Sequence, residues 1–320
     1  MAHPRPGKVV EIEPLGVTRG EQSAYFSNSG YWGNRMRVGI FALAALVSLS
    51  GNAAAQSGNA AAQSLVERGN HLVNTVLTCG NCHTPKGPGG DVAEKAFSGF
   101  LHFDEPPFKV TASNITQDKE TGIGNWTDEQ IKTVLRKGTK PNGVPVAMVM
   151  PSGFYEIMTE RDMNAVVAYL RTVKPVSNKV PDAIYKMPQG HPIPPGAEKP
   201  YTEAMLTDKV KKGFYLVTVA HCMECHTPIG PRGRDFDKLG VGGFDFPGPW
   251  GKSTSRNITS SKAKGIGDWT DDEIKRAITQ GIRKDGSRLL PPMGYPYYAK
   301  MTADDLDAIV AYLRTVPAQE

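Results

Sequence analysis

Cys79-Gly80-Asn81-Cys82-His83 and Cys222-Met223-Glu224-Cys225-His226 decide the fold, and they stand 143 residues apart. Each reads C-x-x-C-H, the attachment signature of a c-type haem. Two thiols bond the haem vinyl groups and the adjacent imidazole lies against the iron as proximal ligand. The spacing lets both sulfurs and the ring reach one face of a porphyrin from a single helical turn. The chain has four cysteines, and every one belongs to a motif. Half of a zinc site or a redox disulfide are the other uses of C-x-x-C. A zinc site made from both pairs leaves the His after each pair unexplained, and a redox disulfide wants a βαβ setting that the sequence lacks. Cys79, Cys82, Cys222 and Cys225 are therefore read as covalent attachments of two haem c groups, with His83 and His226 as axial ligands.

The 143-residue offset extends well beyond the motifs. Asn114-Ile115-Thr116 returns as Asn257-Ile258-Thr259, and Gly122-Ile123-Gly124-Asn125-Trp126-Thr127 as Gly265-Ile266-Gly267-Asp268-Trp269-Thr270. Met150 returns as Met293, and Ala168-Tyr169-Leu170-Arg171-Thr172-Val173 as Ala311-Tyr312-Leu313-Arg314-Thr315-Val316. One offset over this length means that a whole domain is duplicated in tandem. Upstream of each motif the helices align with a one-residue slip, Arg68-Gly69 against Lys212-Gly213.

Within each copy the punctuation is helical. Met163, Val166, Val167 and Leu170 repeat at i, i+3, i+4, i+7, as do Leu306, Ile309, Val310 and Leu313. Thr159 and Thr302 are candidate N-caps with an Asp at the third helical position. A middle helix opens at Thr127 or Thr270, where Gln130 or Glu273 completes a capping box, and closes at Gly138 or Gly281. Alternating strand patterns are scarce. The fold class expected is all-α: two tandem domains joined by long Gly/Pro-rich loops, each wrapped around one covalent haem. Boundaries are placed at 64–174 and 206–320, with a proline-rich linker at 175–205 that runs extended across the surface.

The N-terminal region reads differently. Met36-Arg37, the apolar run Val38 to Leu49 and Ala53-Ala54-Ala55 form a signal peptide over 36–55, which leaves 1–35 as a mis-called extension and 56–63 as a flexible tether. Export to the periplasm agrees with haem attachment outside the cytoplasm. The formal charge is +5; residues 1–55 carry five basic and three acidic groups, a net +2, so the mature chain stands near +3. That balance gives no footprint for a nucleic-acid partner. No later apolar run reaches the roughly 18 residues of a membrane span, so the mature chain has no transmembrane segment, and any membrane association is peripheral.

The duplication nominates the sixth ligand of each iron. Met150 and Met293 occupy matched loops just before the last helix, and His/Met ligation raises a haem potential. Core packing is the other use of a Met, and Met148 is a nearby competitor whose counterpart is Pro291. His71, His102, His191 and His221 have no histidine at the matched positions. Asn114, Thr116, Asn257 and Thr259 either bond haem propionates or close tight loops. Trp126 and Trp269 either contact the haem edge or staple a helix start. Tyr169 and Tyr312 read as helix-packing contacts.

C-x-x-C-H, then N-I-T, G-I-G-x-W-T, a late Met loop and a terminal A-Y-L-R helix resemble class I cytochrome c domains. More narrowly they resemble the multihaem cytochrome c subunits of bacterial alcohol, aldehyde and gluconate dehydrogenases. The likeness spans nearly all of residues 64–317. It implies a relay of single electrons from a periplasmic dehydrogenase towards a cytochrome or oxidase of the respiratory chain, with no catalysis by the chain itself. Those subunits typically have a third haem domain and a membrane-associating C-terminal helix, whereas Glu320 comes just past the second copy here. The rival class is a dihaem cytochrome c peroxidase, which needs one iron with an open distal position; a matched Met in both copies argues against it.

Overall fold

The computed structural model describes residues 63–320 apart from 231–232 and 249–250. The extension, the export segment and tether positions 56–62 lie outside the described residues, while Gln63, expected in the tether, is already helical. Helix α1 covers 63–71 and runs into a π-helical turn, Leu72–Val76. It is followed by α2 (Cys79–His83), α3 (Asp128–Lys137) and α4 (Glu160–Leu170). The second copy supplies α5 (Lys209–Val219), α6 (Cys222–Cys225), α7 (Asp271–Gln280), α8 (Tyr295–Tyr298) and α9 (Ala303–Leu313).

Helix ends fall where the side chains can satisfy them. Thr127 Oγ1 accepts from Gln130 N at 3.2 Å while Gln130 Oε1 accepts from Thr127 N at 2.8 Å. Thr270 and Glu273 repeat both bonds at 3.2 and 2.8 Å. Gly138 and Gly281 close these helices at φ 64° and 65°, a left-handed conformation that costs glycine little. Thr159 and Thr302 cap α4 and α9, each accepting from the backbone of an Asp three residues on at 3.1 Å.

In each copy the first and last helices cross at a glycine. A Cβ on Gly69 would lie 1.9 Å from the Ala165 carbonyl oxygen, and one on Gly213 would lie 1.9 Å from that of Ala308. Tyr169 and Tyr312 pack over these crossings, as expected. From the crossing glycine to the first Cys, copy one is a residue longer than copy two. The π turn absorbs the extra residue: Leu77 N bonds Leu72 O, five residues back, at 2.8 Å. That is the physical basis of the one-residue slip.

The all-α expectation needs amending. Each copy also carries two short antiparallel hairpins between its attachment helix and its middle helix. In the first they are β1 (Lys86–Gly87) with β2 (Gly90–Asp91) and β3 (His102–Glu105) with β4 (Phe108–Thr111). From the linker β5 (Ile184–Tyr185) adds to β4. The second copy has β6 (Ile229–Gly230) with β7 (Gly233–Arg234) and β8 (Asp245–Gly248) with β9 (Gly251–Thr254). Ladders of two to four residues are too short for an alternating pattern to register.

One continuous buried cluster joins residues of both copies, among them Leu72, Val73, Met163, Val166, Tyr215, Leu216, Ile309 and Val310. Reciprocal polar pairs cross the same interface. Arg68 donates twice to Asp162 at 2.8 Å, and the second copy's Tyr215 donates to the same carboxylate at 2.7 Å. Lys212 pairs with Asp305 at 2.7 Å, and the first copy's His71 reaches Asp305 at 3.1 Å. His71 and Tyr215 thus do the same job in opposite directions. The linker is mostly exposed and is tied to the domains at points: Tyr201 N bonds Ile157 O at 2.9 Å and Ala197 is fully buried.

Candidate cofactor sites

Each attachment helix begins with a sharp change of direction. Thr78 (φ 49°) and His221 (φ 44°), immediately before the first Cys of each motif, are left-handed although neither is glycine. Such residues cost about 1–2 kcal/mol each and persist where their surroundings hold them. After the motif the chain is tied down again, with Gly99 N bonding His83 O and Gly242 N bonding His226 O, both at 2.8 Å.

The imidazoles are oriented by backbone. His83 Nδ1 lies 2.6 Å from Ser113 O, and His226 Nδ1 lies 2.6 Å from Arg256 O. A carbonyl can only accept, so Nδ1 carries the proton and Nε2 of the neutral ring keeps its lone pair. Burial lowers both imidazole pKa values, more than the carbonyl contacts raise them, and so favours that neutral, metal-binding form. Sequence reasoning missed these acceptors, since a main-chain carbonyl has no residue identity to read.

None of the four thiols is in a disulfide. Burial pushes Cys79 and Cys222 up to about 12 and Cys82 to about 11, with Cys225 higher still. Thiols held protonated at neutral pH are not the activated thiolates of a redox disulfide. Among the described residues no three His, Cys, Asp or Glu side chains converge as an ion-binding set. All four cysteines are half-buried. Two thiols and a neutral imidazole with a free Nε2 on one helical turn fit a covalently held haem in each copy.

The methionine loops differ from their neighbours in what they touch. Met150 and Met293 are half-buried against the main core, as are Cys79 and Cys222. Met148 instead packs in a separate cluster with Phe108, Val110, Phe103 and Tyr185. The geometry therefore separates the two Met candidates in the first copy. Trp126 and Trp269 pack half-buried on the main core, and their carbonyls accept from Arg171 and Arg314 at 2.5 Å. For Asn114, loop closure accounts for the whole amide: Oδ1 accepts from Thr116 N and Oγ1 at 2.9 and 2.8 Å, and Nδ2 donates to Thr121 Oγ1 and Val176 O. Asn257 does the same with Thr259 and Gln319 O.

The sites also meet across the copies. Tyr297, from the helix after Met293, donates to Asp91 at 2.9 Å and accepts from Lys86 at 2.7 Å, while Lys86 reaches Gly80 O at 3.1 Å. A Cβ on Gly80, inside the first motif, would sit 3.5 Å from the Tyr297 ring. The Met293 loop of one copy therefore rests on the attachment helix of the other.

Comparison with known proteins agrees with this geometry. A family model described as cytochrome c matches residues 66–174 and 210–317. The cytochrome c subunit of the quinone-dependent alcohol dehydrogenase of Gluconacetobacter polyoxogenes is 31% identical over 304 residues, covering 89% of this chain and 62% of that protein. The fructose dehydrogenase cytochrome subunit of Gluconobacter japonicus is 31% identical over 268 residues, 79% of this chain and 53% of its own length. A diheme cytochrome c-type protein of Cereibacter sphaeroides is 29% identical over 255 residues, 76% and 83% of the two chains. The chain thus spans less than two thirds of the length of the dehydrogenase subunits it matches.

Proposed function

The chain belongs to the cytochrome c family, and we propose that it is an electron-transfer protein carrying two haem c groups and no catalytic site of its own. Cys79, Cys82, Cys222 and Cys225 would hold the groups, His83 and Met150 would ligate one iron, and His226 and Met293 the other. When bound, the haems supply a one-electron couple each. The protein's own contribution is positioning: Ser113 O and Arg256 O fix the imidazole tautomers, and the Met150 and Met293 thioethers would hold the irons and favour their reduced state. The observation that carries the reading is that the His–carbonyl contact and the Met-bearing loop are both present twice at one offset.

Likeness to dehydrogenase cytochrome subunits supports a dehydrogenase as electron donor, and a cytochrome or oxidase as acceptor follows as part of the proposal. Residues 36–55 would direct export to the periplasm. No described helix is long and apolar enough to cross a membrane. Both copies bear the Met loop, which gives the peroxidase alternative no support.

The test is the ferric holoprotein challenged with cyanide, azide and peroxide. Two covalently retained haems per chain, slow ligand binding and no peroxide turnover are expected. One haem per chain, or a high-spin haem that binds these ligands at once, would overturn the reading.

A further inference from the structure

The linker grips the loop that carries Met150, whereas in the second copy the equivalent place is filled by a residue of the Met293 loop itself. Gly138, at the end of α3, is so close to His191 that a Cβ there would meet Nε2 at 2.1 Å and Cδ2 at 2.3 Å. At the equivalent Gly281 the nearest group is the Tyr295 ring, 2.8 Å from such a Cβ. The space over the helix end is thus filled by a linker imidazole in one copy and by the Met loop's own tyrosine in the other. Where the second copy has Tyr295 the first has Ser152, short enough to leave the space open, its Oγ donating to Val134 O at 3.0 Å.

Two further contacts complete the grip. Gly153 stands where the second copy has Pro296, and a Cβ on it would lie 2.4 Å from Pro192 O. Gln189 Oε1 accepts from Met148 N at 3.1 Å. Both ring nitrogens of His191 are buried, and the ring faces the Val146 and Met150 carbonyls.

We propose that linker residues 189–192 are the positioning element for Met150, doing from outside the domain what Tyr295 does for Met293. This rests on Met150 being an axial ligand. Distal ligation in the first copy then depends on the connection between the copies, and the two haem sites are inequivalent by construction.

The test uses the full-length holoprotein, with imidazole as the competing ligand and Met150→Ala as the reference that identifies the first haem. His191→Ala is expected to lower the same potential that Met150→Ala lowers. It should raise imidazole affinity at that one haem about tenfold, as follows from a tenfold larger population of open loop. His191→Tyr, which rebuilds the second copy's arrangement, should restore both. Gly153→Ala, which pushes on the Pro192 carbonyl, should open the same haem and serves if His191→Ala folds poorly. If Met150→Ala opens a haem while His191→Ala and Gly153→Ala leave imidazole affinity and both potentials unchanged, the clamp is refuted. If Met150→Ala itself changes nothing, the axial assignment has failed and this proposal falls with it.

Discussion

Replacing Tyr215 with Phe removes one oxygen from the interface between the copies. The Tyr215 ring is 1% exposed and stacks near Tyr201 with centroids 6.2 Å apart, so Phe keeps the packing. What goes is the 2.7 Å bond to Asp162, a carboxylate 2% exposed. A hydrogen bond to a charged group contributes about 1.5–3 kcal/mol. Asp162 keeps both bonds from Arg68 and is not orphaned, so the lower part of that range applies and the expected loss is about 1.5–2 kcal/mol. Asp162→Ala should cost about 3 kcal/mol or more, because it strands Arg68 as well. Guanidinium unfolding of the holoprotein, followed by far-ultraviolet circular dichroism, measures both changes, and the double mutant gives their coupling. A Tyr215→Phe loss below about 0.5 kcal/mol, or no coupling with Asp162→Ala, would refute the view that this bond locks the copies together.

Gly213→Ala gains about 1 kcal/mol of helix propensity. It also forces a methyl to within 1.9 Å of the Ala308 carbonyl, so a net loss of about 2–3 kcal/mol in unfolding free energy is expected. Thr127→Ala deletes one half of a capping box and should lower stability by about 1 kcal/mol in the same assay. Burial opposes ionisation of Asp305, but His71, Lys212 and Thr302 outweigh it and hold the carboxyl well below the usual range. Its contribution is therefore complete above an unfolded pKa of about 3.9 and lost as pH falls through the lower folded value. Acid titration of Asp305→Asn should show a shallower loss of stability below about pH 4 than the parent protein, and an unchanged slope would count against the pairing.

The helices and their ends were legible because they depend on side chains close in sequence. Thr127 with Gln130, Thr159 with Asp162 and the i, i+3, i+4, i+7 apolar sets all act over one or two turns. The duplication was legible because one offset relates so many positions. The hairpins were not, since Lys86–Asp91 and its counterpart offer two paired residues each. Nor were the Ser113 and Arg256 acceptors, which act through main-chain oxygen, or the Tyr215–Asp162 and His71–Asp305 pairs, which join positions 53 and 234 residues apart. His71 has no histidine partner because its equivalent across the one-residue slip is Tyr215, a different residue type that bonds the opposite carboxylate. His191 was placed in the linker, but nothing in its neighbours announced that it fills the space over Gly138.

The central claim is that both irons are closed by methionine. Near-infrared magnetic circular dichroism of the ferric holoprotein reads this directly, through the charge-transfer band that a thioether ligand produces. The account predicts an intensity of two Met-ligated haems per chain, falling by about half in Met150→Ala and by about half in Met293→Ala, as independent sites require. A band worth one haem or none in the parent protein, or one that survives both substitutions, would contradict it.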